Sequence, residues 1–152
     1  MGYFFDTSAL LKRYVREKGT PWVEAVVSDP DSVIYVAQIT KVEVVSAIYR
    51  RLREGFLSPL GADDAMLLFR RHIKYQYNLV RFTNRVIIQA QHLSAQYPLR
   101  SLDAIQLASA IIVNQGIARG GLPPLTFVCA DTRLLSVAAA EGMTPLDPNT
   151  MT

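Results

Sequence analysis

The 152 residues contain one cysteine, Cys129, one tryptophan and two histidines, His72 and His92. A lone thiol forms no intrachain disulfide, which fits a reducing cytoplasm. That thiol and two separated imidazoles do not make a zinc site. No apolar run approaches the roughly 20 residues needed to span a bilayer. The N-terminus lacks the basic-then-apolar order of a secretory signal, so a cytoplasmic protein with no membrane contact is expected. Charged residues make up only 19%, and the net charge is +3. So small an excess permits a polyanionic partner, and the placement of the charges matters more than their sum. No internal repeat, low-complexity tract or linker interrupts the chain.

Half of the residues are hydrophobic, and a chain of this length buries about 70% of its unfolded surface. One compact domain over residues 1–147 is expected, with a short tail at 148–152. Tyr3-Phe4-Phe5 reads as a buried strand, and Asp6 with Thr7 or Ser8 suits a helix N-cap. Leu10, Leu11, Tyr14 and Val15 continue that helix toward Gly19. Thr20-Pro21 opens a second helix with Thr20 as cap, and Val33–Ala37 is a second strand. Thr40 opens a helix striped by Val42, Val45, Ile48, Tyr49 and Leu52. A helix from Ala62 to about Tyr75 pairs with it as an αα-hairpin. Leu79–Phe82 is a third strand, Thr83 caps the next helix, and Ser101 caps the most apolar one, Leu102 to about Asn114. After a loop at Gly116–Pro124 come a fourth strand, Leu125–Cys129, an alanine-rich helix from Asp131, and a fifth strand, Met143–Leu146. The alternation predicts an α/β fold of three layers, a mostly parallel sheet with helices on both faces.

Four acids fall on one edge of such a sheet. Asp6 follows the first strand and Asp131 the fourth; Glu43 and Asp103 sit in first turns of helices. Each has a structural explanation. Asp6 and Asp131 suit N-caps, and Glu43 stands three residues after Thr40, as in a capping box. Asp103 is harder to explain that way, because its helix is apolar on nearly every face and a buried unpaired charge is costly. Convergence is costly too, since two carboxylates about 4 Å apart repel by about 4 kcal/mol at an effective dielectric of 20. No Lys, Arg or His stands at a spacing that obviously neutralises them. Oxygen-only ligation suits Mg²⁺ or Mn²⁺, and such an ion acts on phosphates by binding a phosphoryl oxygen and activating water.

On these residues the chain resembles the PIN-domain nucleases, and among them the VapC-like toxins of prokaryotic toxin–antitoxin pairs. The resemblance rests on Phe5-Asp6-Thr7-Ser8-Ala9-Leu10, Glu43 within Thr40–Val45, Ser101-Leu102-Asp103-Ala104 with Leu107-Ala108, and Ala130-Asp131. It implies a five-stranded sheet of order 3-2-1-4-5 and Mg²⁺- or Mn²⁺-dependent endonuclease action on RNA. Asp6, Glu43, Asp103 and Asp131 become the catalytic and metal-binding quartet, with Ser8 and Thr7 in support. Homodimers are implied, as is inhibition by a small antitoxin seated near the αα-hairpin. One departure stands out. Where the family often has a hydroxyl two residues before the fourth acid, this chain has Cys129, a weak hydrogen-bonding group, which questions the role of Asp131.

Arg50, Arg51 and Arg53 end one hairpin helix, and Arg70, Arg71 and Lys74 lie near the end of the other. They suit the helix dipoles and are also candidates for RNA-phosphate contact. Tyr75 and Tyr77 are candidates for stacking on bases, with packing the plainer role. Three other readings compete with the toxin. One is a housekeeping RNA-processing nuclease of the same type. Another is a phosphatase with Asp6 as nucleophile, disfavoured because Ser8 occupies the place of the second Asp such enzymes carry. The third is a non-catalytic module whose acidic pocket receives an arginine from a partner.

Overall fold

A computed structural model describes residues 1–152. Five strands, β1 (Gly2–Phe5), β2 (Val33–Ala37), β3 (Asn78–Val80), β4 (Thr126–Val128) and β5 (Thr144–Leu146), form one parallel sheet. Its order is 3-2-1-4-5, as the family resemblance implied. β1 lies in the middle, with Tyr3 opposite both Ile34 and Thr126. A central parallel strand is covered on both faces, which is why its sequence is continuously apolar.

Neighbouring residues of β1 feed opposite cores. Phe4 stacks on Phe127, ring centroids 5.8 Å apart, in the core beneath α5 (Asn84–Gln96), α6 (Ser101–Arg119) and α7 (Thr132–Ala140). Phe5 turns to the other face, where it meets Trp22 of α2 (Thr20–Ser28) and the hairpin of α3 (Thr40–Arg53) and α4 (Pro59–Tyr75). Both phenylalanines are fully buried, each contributing about 1.5–3 kcal/mol through burial.

Several boundaries differ from expectation, each for a local reason. The first helix is only α1 (Thr7–Leu10), tightening into a 3-10 turn at Leu11–Arg13. Thr20 lies inside α2 and not at its cap. Its hydroxyl donates to the Lys12 carbonyl and accepts from the Glu17 amide, tying the loop to the helix. Arg100, not Ser101, is the N-cap residue of α6, and no side chain caps that end. α6 continues five residues past Asn114 and takes Gly116 into its interior. There Gly116 faces open space, and the roughly 1 kcal/mol helix penalty of glycine is covered by the packing of Leu107 and Ile111. Strands β3 and β4 are shorter than their apolar runs.

A buried polar network joins the hairpin to the segment after β1. Tyr77 is buried, so it does not stack on bases. Its hydroxyl lies 2.6 Å from the Tyr14 hydroxyl and accepts from Arg13 at 2.6 Å, and the Tyr14 hydroxyl lies 2.7 Å from His72 Nδ1. Tyr75 is exposed beneath Lys74.

The chain end folds back as a 3-10 turn, Pro148–Thr150, capped by Asp147. Gly19 meets it with φ +87°, and a Cβ there would stand 2.7 Å from the Pro148 carbonyl oxygen. Gly19→Ala is expected to cost more than about 1 kcal/mol through left-handed strain plus this clash. Urea unfolding measures it, and an unchanged midpoint would mean the seat contributes nothing.

Candidate active site

The strands end in step. The Asp6 amide extends the β1 ladder by donating to the Val128 carbonyl at 3.0 Å, and the Cys129 amide extends β4 by donating to Leu146. Asp6, Asp131 and the start of α3 therefore emerge on one edge, where α/β domains bind ligands. A cleft of about 510 Å³ opens there, and all four predicted acids line it. Thr7, Ser8 and Gln106 share its wall.

Asp6 is its most constrained member. It is the N-cap of α1, its Oδ1 accepting from the Ala9 amide at 3.0 Å. Ser8 Oγ donates to the same carboxylate at 2.7 and 3.0 Å, and Cys129 Sγ donates to Oδ2 at 3.1 Å. Capping and cleft lining thus coincide in one side chain. No Lys, Arg or His forms an ion pair with Asp6, and burial pushes its carboxyl up to about 6, against the pull of those donors and with a small push from Asp103.

Cys129 occupies the place of the expected hydroxyl and is itself hydrogen-bonded there. Besides donating to Asp6 it accepts from the Asp131 amide at 3.3 Å. Burial, with the Asp6 carboxylate facing it, pushes the thiol well above its ordinary range. It therefore stays a protonated donor. Asp131 caps α7 by accepting from the Arg133 amide at 2.9 Å and still lines the cleft.

Glu43 belongs to no capping box. Thr40 is the first residue of α3 and makes no cap bond. Glu43 Oε1 accepts from Thr7 Oγ1 at 3.0 Å and from Gln106 Nε2 at 2.7 Å, leaving Oε2 without a protein partner. Gln106, overlooked in the sequence, is 2% exposed, and its Nε2 also reaches Thr40 and Thr7. Its Oε1 is the one buried side-chain polar atom without a partner. The available signal was a polar residue one turn after Asp103 in an otherwise apolar helix.

Asp103 is half-buried. Burial raises its carboxyl and Asp131 adds to this, while Arg100 and Arg133 oppose it. Arg100 Nε stands 3.6 Å from Asp103 Oδ2, so the expectation that no cation stands beside the acids is corrected. Residues i and i+3 met across the helix start. Of the six basic residues singled out, only Arg50 lines the cleft. Arg51 pairs with Glu17 and covers Phe56, and Arg70 faces a groove between α3 and α4. No three His, Cys, Asp or Glu side chains stand close enough to enclose one ion.

The fold and site define a parallel α/β domain with an acid-lined cleft beyond its central strands. The PIN domain model matches residues 3–139, and the chain belongs to the PIN domain family. No curated protein sequence matches it. Solved structures share the fold at low identity. One is VapBC2 from Rickettsia felis, bound to a DNA fragment from its promoter (10% identity, TM-score 0.65, 97% of this chain and 98% of that one). Another is VapBC-1 from nontypeable Haemophilus influenzae (13%, 0.62, 99% and 100%). A third is a toxin-antitoxin complex from Klebsiella pneumoniae (20%, 0.59, 96% and 97%).

Because Asp6 holds its proton more tightly folded than unfolded, it contributes stability at low pH that is lost as pH rises through about 6. In chelator the loss between about pH 4 and 7 is on the order of 3 kcal/mol, and Asp6→Asn, which stays neutral, escapes it. Urea unfolding across that range should show the two curves diverging. Parallel curves would remove Asp6 as the source.

Proposed function

We propose that the protein is a Mg²⁺- or Mn²⁺-dependent endoribonuclease, the toxin of a cytoplasmic toxin–antitoxin pair. The observation that carries this is a buried carboxylate without a cationic partner, Asp6, in a PIN-domain cleft lined by three further acids. The donor set is all oxygen, which suits a hard divalent ion. Asp6 and Asp103 would hold it, with Glu43 and Asp131 reaching it through water. Such an ion, when bound, polarises a phosphoryl oxygen and lowers the pKa of water.

The chain's own groups do the rest. Ser8, the Ala9 amide and Cys129 hold Asp6 in one orientation. Thr7 and Gln106 fix one oxygen of Glu43, so that the other is available to orient water and accept its proton. Protonation of Asp6 competes with the cation, so activity falls as pH drops below about 6.

Two surfaces support the expected partners. A groove of about 390 Å³ between α3 and α4, lined by Val45, Tyr49, Met66, Phe69 and Ile73, suits an apolar antitoxin segment, and the similar Klebsiella pneumoniae structure is a toxin-antitoxin complex by name. Leu79 and Phe82, exposed in and just after the edge strand β3, suit a homodimer contact.

The test is cleavage of a panel of structured RNAs. Cleavage requires Mg²⁺ or Mn²⁺, is abolished by chelator or Asp6→Asn, and falls about 100-fold or more in Glu43→Gln. Full activity in Asp6→Asn would reject the site, and silence with every RNA and either metal would reject the function.

A further inference from the structure

We propose that Arg50, Arg100 and Arg133 form a phosphate track that carries single-stranded RNA across the acidic cleft. It deepens the nuclease reading and rests on it. Arg50 stands on the α3 wall, seven residues after Glu43 and so on the same helical face. Arg100 lines the same cleft from the start of α6. Beside it a pocket of about 50 Å³ adjoins the cleft, sharing Asp103 and Asp131 with it and bounded by Arg100 and Arg133.

The three guanidiniums are free to act. Arg50 and Arg133 are exposed and form no ion pair. Arg100 pairs with Asp103 at 3.6 Å, but its side chain is 79% exposed, and such a pair exchanges readily for a stronger partner. A phosphate offers the guanidinium fork two oxygens at once. Without these cations the strand's flanking phosphates would be repelled by the same carboxylates that hold the catalytic ion. Single-strandedness follows from depth. Asp6 is 4% exposed, and a flexible strand can bend its backbone toward it, whereas a duplex keeps its phosphates on a rigid convex surface.

The experiment measures binding apart from cleavage. A fluorescein-labelled oligouridylate, its DNA counterpart and an RNA duplex are titrated with Asp6→Asn protein in chelator, by anisotropy, from about 50 to 300 mM salt. In that background Arg50→Gln, Arg100→Gln and Arg133→Gln should each lower the slope of log affinity against log salt by about 0.7, while Arg53→Gln and Arg71→Gln leave it unchanged. The duplex should bind at least about tenfold more weakly than the single strand. Slopes unmoved by Arg50→Gln, Arg100→Gln and Arg133→Gln, or lowered equally by Arg53→Gln and Arg71→Gln, overturn the track, as does absence of binding. Tighter duplex than single-strand binding overturns the single-strand assignment. Slopes that shift as expected in a protein whose native form cleaves no RNA would leave the track standing and reject the nuclease.

Discussion

A carboxylate held out of water without a cation is the constraint on which this structure turns. Asp6 closes the central strand, caps the following helix and faces the cleft, and three donors from Ser8, Ala9 and Cys129 converge on it. Those donors reduce the cost of its burial and do not remove it, which is why its carboxyl stays raised to about 6. The remaining cost marks Asp6 as a candidate functional group, because a rigid, buried carboxylate with no cationic partner is strained by its surroundings. The parallel sheet makes this placement possible, since only there do strand ends and helix starts share an edge.

Around this centre the supporting groups work in pairs across elements. Thr7 of α1 and Gln106 of α6 hold Glu43 of α3, so the acid on one core is aligned by a residue rooted in the other. The thiol of Cys129 spans Asp6 and the Asp131 backbone. Burial keeps that thiol protonated, so it serves as a donor to the carboxylate.

Much of the scaffold was readable because it rests on strong local physics. β1 and β2 are short apolar runs, α6 is apolar on nearly all faces, and alternating strands and helices leave few topologies. The acids were readable because charges in such surroundings need a reason. What escaped notice depends on contacts that spacing does not encode. Thr20 and Thr40 look like caps, yet their hydroxyls are drawn inward, to the Lys12 carbonyl and to Gln106. Glu43 fits a capping box but is claimed by residues 36 and 63 positions away. Arg100 sits beside a helix start where a cation opposes the dipole, so only the neighbouring carboxylates explain its position.

α3 turns three separate faces to three neighbours and leaves Val42 exposed between them. Glu43, Ala47 and Arg50 face the acidic cleft, Val44 and Ile48 enter the core, and Lys41, Val45 and Tyr49 line the groove against α4. Each turn therefore serves three neighbours at angles fixed by the helical repeat. Inserting or deleting one residue here would rotate everything beyond it by about 100°, exchanging the three roles together. Substitution at constant length leaves the three faces of this helix in place, whereas a change of length displaces all of them.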